Sequence, residues 1–259
     1  MSPIVSVLWQ SLSIDIGNHE EIVPVQEYTF TPIAIAHTPY REKFAIPRQP
    51  GLVSAAKGTI ELLPPFNDMQ MLRDIEQHSH LWVLFVFHGT ADRGWKPLIK
   101  APRLGGNQKT GVLASRSTFR PNPIGMSVVK LDGINLDGEN PCLEISGMDL
   151  MDGTPVIDIK PYIPYSDALN DARSEFAPAP EQHDITVIFL DQVEQQLAKL
   201  VNGSELKELI YQVLLQDPRP AYKKKDLNSQ EYGMALDNFN VRWQISGKNC
   251  VVIHIESIT

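Results

Sequence analysis

With 259 residues, 42% of them hydrophobic and 21% charged, the chain has the length and composition of a globular protein with one large domain or a large and a small one. The net charge of −8 argues against a uniformly basic nucleic-acid binder, and two cysteines, Cys142 and Cys250, exclude a disulfide scaffold or a thiolate zinc cage. No apolar run approaches the roughly 18 residues of a membrane span, and Asp15, Glu20 and Glu21 stand where a signal peptide needs basic residues.

Residues 1–27 match no readable pattern and are taken as an extension. Thr29 to Ala36 reads as a first strand. Asn67 to Gln77 predicts a helix with Asn67 as its N-cap. Leu81 to His88 (LWVLFVFH) is continuously apolar and predicts a strand buried on both faces. Strands are expected at Thr110 to Ser115, Ser127 to Ile134, Cys142 to Met148 and Thr154 to Ile159. Residues 166–182, with alternating Ala and Pro, predict a linker and a domain boundary near residue 170. A strand at His183 to Leu190 and helices at Asp191 to Val201 and Ser204 to Gln216 follow; Pro218 and Pro220 stop the second helix. Asn238 to Ser246 and Asn249 to Glu256 form a hairpin around Gly247 and Lys248. The expected class is mainly β or α+β: an antiparallel β-barrel or sandwich over residues 28–168 and a small α+β unit over 169–259.

Charge is unevenly spread. Residues 93–120 hold Arg93, Lys96, Lys100, Arg103, Lys109, Arg116 and Arg120 with no Asp or Glu, and Arg219, Lys223, Lys224 and Lys225 form a second basic run. Such patches suit phosphate contacts, or are solvated loops. No G-x-G-x-x-G, Walker A loop or G-x-S-x-G elbow is present, so a nucleotide-like cofactor has to be held differently.

Pro- and Gly-stiffened segments carry the polar groups: Thr38-Pro39-Tyr40 through Arg48-Gln49-Pro50-Gly51, Ser79-His80-Leu81-Trp82, residues 102–125 with RSTFRPNPIG, and Asp149-Leu150-Met151-Asp152-Gly153-Thr154-Pro155. Together with Asp217-Pro218-Arg219-Pro220-Ala221-Tyr222, they resemble the TrmO family of tRNA N6-threonylcarbamoyladenosine methyltransferases. RSTFRPNPIGMS and DGTPVIDIKPY make the resemblance specific, and it runs from about residue 30 to the C-terminus. It implies a β-barrel that binds S-adenosylmethionine, a small C-terminal domain, a cytoplasmic homodimer, and methylation of the modified adenosine 3′ of the anticodon.

The residues fit those expectations. Arg116 suits the cofactor carboxylate, or a tRNA phosphate. Asp149 and Asp152 suit ribose hydroxyls or the cofactor amine, with the peptide groups of Leu150 and Met151 on the adenine edge; alternatively the two aspartates only form the turn. Tyr40, which follows Thr38 and is fixed by Pro39, stacks on adenine or closes the methyl pocket, or is a core tyrosine at a strand end. Ser79 and His80 are cofactor contacts by resemblance. His78 and His80 share one face of an extended segment, but no thiolate or closely spaced carboxylate completes a metal site. Asp217 is the candidate acceptor of the N6 proton, directly or through water, Arg219 the partner of the substrate's threonine carboxylate or of a phosphate, and Tyr222 a stacking platform; the plain alternative is a helix-stop turn with a cap and a salt bridge. Arg103, Lys109, Arg120, Lys223 and Lys224 are expected to contact tRNA. A non-catalytic module binding RNA or S-adenosylmethionine and a metal-dependent hydrolase are the competing functions.

Overall fold

Strands whose side chains alternate in and out can bury one face if the sheet closes on itself, and that is how the first half of this chain solves its packing. A computed structural model describes residues 26–101, 108–175, 177–181, 184–219, 223–224 and 229–258. The strands among them are β1 (Ala34–His37), β2 (Lys57–Leu62), β3 (His80–Val86), β4 (Leu98–Lys100), β5 (Lys109–Gly111), β6 (Ile124–Asn135), β7 (Cys142–Ser146), β8 (Thr154–Pro161), β9 (Thr186–Phe189), β10 (Gln230–Leu236), β11 (Phe239–Ser246) and β12 (Asn249–Ser257). The helices are α1 (Pro164–Asp167), α2 (Asp191–Leu197) and α3 (Gly203–Leu215).

Six strands close into a barrel in the order β1-β2-β7-β6-β3-β8, every pair antiparallel. Its interior takes alternate residues: Ala34 and Ala36, Ile60 and Leu62, Leu81, Val83 and Phe85, Leu143 and Ile145. Small alanines on β1 face large aliphatics elsewhere, which fills the narrow lumen. β4 and β5 form a separate hairpin. The last sheet has the order β10-β11-β12-β9, with β9 parallel to β12. α3 buries Leu206, Leu209, Ile210, Val213 and Leu214, an i, i+3, i+4, i+7 stripe. One apolar cluster runs from barrel to C-terminal sheet. Their seam is tied by backbone: Tyr40 bridges Leu236, Asp237 N–H donates to Pro39 O at 2.7 Å, and Arg41 Nε donates to Asp237 O at 2.7 Å.

Several expectations need correction. Residues 67–77 form no α-helix but two 3-10 turns, Met69–Leu72 and Ile75–Gln77. Asp68, not Asn67, caps the first by accepting from Gln70 N–H, and Asp74 at φ +66° interrupts the run. β3 is not buried on both faces; Leu81, Val83 and Phe85 are buried, whereas His80 is exposed and Trp82 and Leu84 are half-buried on the outer wall. The first strand is only Ala34–His37, because Pro32 has no N–H for a ladder. Of the strand expected at Thr110 to Ser115, only Thr110 and Gly111 belong to β5; Val112–Ala114 form a 3-10 turn. β2, β4 and β10 were not anticipated.

Candidate functional site

The segment after β1 and the loop before β8 lie side by side. Thr38 N–H donates to Asp152 Oδ1 at 3.0 Å and Thr38 Oγ1 to Leu150 O at 2.9 Å, while Asp152 N–H returns a bond to Tyr40 O at 2.9 Å. Gly153 takes φ +73°, a conformation that glycine adopts without strain, and its N–H reaches Ala36 O at 2.9 Å. Met151 O accepts from Thr154 Oγ1 at 2.6 Å. The carbonyls of Leu150 and Met151 each accept one bond from a threonine hydroxyl, which leaves a second lone pair on each. Thr38, Pro39 and Asp152 line a cleft of about 580 Å³ between the barrel and α3, shared with Lys57, Glu205 and Asn238.

Tyr40 is 0% exposed, so its ring offers no free face for stacking; the core-tyrosine alternative describes its position. Its hydroxyl is buried without a hydrogen-bond partner among the described residues. Burial, and then the nearby charge of Asp149, push the phenol pKa up.

A second group assembles from distant segments. Arg116 Nη1 donates to Gln49 Oε1 at 2.6 Å, and Ser127 Oγ donates to Asp149 Oδ1 at 2.6 Å. Burial raises the Asp149 pKa; the Ser127 hydroxyl, its own backbone N–H and the Arg116 charge pull it back without prevailing. The loop carrying Arg116 is internally braced: Ser117 N–H donates to Ser115 Oγ, Phe119 N–H to Ser117 Oγ, and Arg120 Nη1 to Ser115 O at 2.6 Å. Arg120, expected on tRNA, thus supports its own loop. Lys109 stays exposed, directly across the β4–β5 hairpin from exposed Lys100. Arg103 lies outside the described residues.

Ser79 and His80 form a local pair, Oγ to Nδ1 at 2.9 Å. His80 lines a smaller pocket of about 240 Å³ with Pro50, Gly51, Val128, Lys130 and Gly147. Gly51 N–H donates to Gly147 O at 2.8 Å, two residues before Asp149. The expected cofactor residues thus divide between two concavities, with His80 in one and Thr38, Pro39 and Asp152 in the other. Among the described residues no three His, Cys, Asp or Glu side chains gather to hold a metal.

Asp217 ends α3 in the left-handed region, φ +47°, with its N–H on Leu214 O at 3.1 Å. Arg219 grips it through both oxygens, Nε to Oδ1 at 2.8 Å and Nη2 to Oδ2 at 3.0 Å, and the two side chains are 5% and 8% exposed. Burial alone raises the Asp217 pKa, but the bonds from Arg219 and the charge of Lys224 outweigh it, and the carboxyl lies below its usual value. A carboxylate held in this way is a weak base, and in this structure Asp217 and Arg219 are engaged with each other, as in the cap-and-salt-bridge alternative; the proton-acceptor and carboxylate-partner roles expected of them require that pair to open. Tyr222 lies outside the described residues. Lys224, half-buried, sits 3.6 Å from Asp217 Oδ2, and Lys223 is also half-buried.

Three contributors were missed in the sequence. Ser127 is 0% exposed at an inward position of β6, between buried Gly125 and Val129; a hydroxyl in that register is the available signal. Gln49 and Arg48 lie in a quoted segment but had no assigned role. Arg48 Nη1 is 3.7 Å from Glu181 Oε2.

Comparison with known proteins is consistent along the chain. Residues 35–168 match the family model of the tRNA-methyltransferase O N-terminal domain, and residues 182–258 match that of the TrmO C-terminal domain. The tRNA (adenine(37)-N6)-methyltransferase of Escherichia coli (strain K12) is 45% identical over 233 residues, covering 90% of this chain and 99% of that protein. A probable S-adenosyl-L-methionine-binding protein of Pyrococcus abyssi is 38% identical over 144 residues, 56% of this chain and 73% of that one. The crystal structure of TrmO from Pseudomonas aeruginosa superposes with a TM-score of 0.72 at 40% identity, covering 90% of this chain and 99% of that one.

Proposed function

The chain belongs to the TrmO family, and from that premise we propose that it is an S-adenosylmethionine-dependent tRNA methyltransferase acting on N6 of adenosine 37, in its threonylcarbamoylated form. The observation that carries the reading is the match to the Escherichia coli enzyme over 90% of this chain and 99% of that protein. We propose the barrel domain, residues 28–168, as the cofactor domain, residues 169–259 as the substrate-side domain and residues 1–27 as an extension. We propose a cytoplasmic homodimer as its working state.

The residues present fit the cofactor. Tyr40 Oη is a buried polar atom without a partner among the described residues, near a carboxyl whose ionisation burial opposes. A cationic or hydrogen-bonding group brought to Asp149 relieves both. Arg116, held in place by Gln49, presents a guanidinium for a carboxylate. Thr38 and Asp152 fix the loop whose remaining peptide groups face the larger cleft. S-adenosylmethionine, when bound, supplies an electrophilic methyl on a sulfonium. Threonylcarbamoylation places N6 between a carbonyl and the purine, which acidifies its proton, so the protein's tasks are alignment, a proton acceptor and exclusion of water. Lys100 and Lys109, like charges paired across an exposed hairpin, are a repulsive arrangement that a phosphate would relieve, which supports tRNA contact there.

The test is nucleoside mass spectrometry. tRNA from cells lacking the gene, incubated with the purified protein and S-adenosylmethionine, gains one methyl on threonylcarbamoyladenosine. Cofactor binding without any methyl transfer sinks the enzyme reading in favour of a binding module.

A further inference from the structure

Ser127 is a barrel hydroxyl to which the reaction assigns no part. It sits at an inward position of β6 and is 0% exposed. A buried hydroxyl needs a partner, and its Oγ donates to Asp149 Oδ1 at 2.6 Å. Register brings the two together. The β6–β7 ladder ends with Lys130 opposite Ser146, and three residues further along each strand, positions 127 and 149 fall opposite one another.

Asp149 is anchored on both sides. Its neighbours Met148 and Leu150 are fully buried in the core, and Leu150 O accepts from Thr38 Oγ1. Asp149 itself is half-buried, so its carboxyl lies at the edge of the core. An ionised carboxylate has about four acceptor sites. Among the described residues Ser127 is the one side chain that donates to it, and beyond its own N–H the remaining capacity is open to a ligand. Ser127, sealed in the barrel, acts only through the oxygen it holds. That bond fixes the carboxyl's orientation, and it favours the charged form that burial opposes. Without it, Asp149 is free to turn and harder to ionise.

We propose that Ser127 is a positioning residue for S-adenosylmethionine: it holds Asp149 in the orientation that accepts a hydroxyl or ammonium hydrogen of the cofactor. The inference rests on the cofactor reading and goes beyond it by naming the group that sets this carboxylate.

Titration separates positioning from packing. Arg116 and Tyr40 are the other ionisable groups coupled to Asp149. Arg116 stays cationic and Tyr40 neutral in acid, and between about pH 4.5 and 7 S-adenosylmethionine keeps its charges. By isothermal titration calorimetry with the full chain, wild-type affinity for S-adenosylmethionine falls as pH drops and Asp149 takes up its proton. Ser127→Ala binds about tenfold more weakly at about pH 6, and its fall begins at higher pH. Ser127→Cys, a weaker donor of similar size, shows the same movement to a smaller degree, so the result does not depend on one variant folding. In Asp149→Asn this part of the pH dependence is absent, and adding Ser127→Ala no longer moves the profile. An unchanged affinity in Ser127→Ala overturns the proposal, as does a loss of equal size at every pH, or a shift that persists in Asp149→Asn. Wild type that binds the cofactor but transfers no methyl removes the enzyme reading and leaves Ser127 in its role. Wild type that binds no S-adenosylmethionine removes the cofactor reading, and the positioning role with it.

Discussion

Asp149 and Asp217 each sit near an arginine, yet their carboxyls shift in opposite directions. Burial is the largest single influence on both and pushes both up. Asp217 nevertheless ends low, because Arg219 delivers two direct bonds and Lys224 adds its charge. Asp149 ends high, because the Arg116 fork is turned to Gln49 and contributes only charge from a distance. Where each guanidinium directs its hydrogen bonds separates the two carboxyls. The closed pair braces the end of α3. The open one leaves a carboxyl whose charge responds to whatever binds beside it.

The largest way to break this contrast is Arg219→Ala. It strands the buried Asp217 charge and is expected to cost about 3–5 kcal/mol in urea unfolding. A loss below about 1 kcal/mol would mean that solvent reaches Asp217 and the pair is not closed. Ser127→Ala comes next. It deletes the only side-chain donor seen on Asp149 among the described residues and is expected to cost about 1 kcal/mol while pushing the Asp149 pKa further up. An unchanged unfolding midpoint would show that water replaces the hydroxyl.

The smallest effect is a slope. The folded-state pKa of Asp149 is raised, so its carboxyl favours folding at low pH. That contribution is lost as pH climbs from the ordinary carboxylate value, about 4, through the raised one. Asp149→Asn removes the loss: wild type and variant match at low pH, and wild type falls behind as pH rises through that window. Asp217 has the opposite sign, because its folded pKa is lowered. Its contribution is complete above the ordinary value and is lost as pH falls through the lowered one. Unfolding midpoints across pH for wild type and Asp149→Asn check this, and parallel curves would refute the raised pKa.

Much of the architecture could be read directly. Short β-type runs between turn signals marked β6, β7, β8, β11 and β12, and the apolar stripe marked α3. β2 was hidden because KGTIEL begins with Lys57 and Gly58 and turns only Ile60 and Leu62 fully inward. β10, QEYGMAL, was hidden by polar residues at its start and by Gly233. The apparent helix at residues 67–77 failed for a local reason: two aspartates, one capping and one in the left-handed region, divide it into single turns.

By itself the sequence determined the strand-rich class, the family and the segments that hold the polar groups, because alternation and turn chemistry are local properties and the long RSTFRPNPIGMS and DGTPVIDIKPY strings are distinctive. Only the tertiary structure decided which groups meet. Ser127 reaches Asp149 from 22 residues away and Gln49 reaches Arg116 from 67. Alternation tells a side chain which way to face but not what stands opposite; barrel closure supplies that neighbour. The burial of Tyr40 and the commitment of Arg219 to Asp217 follow for the same reason, since solvent exposure and hydrogen-bond geometry exist only after the chain has closed around them.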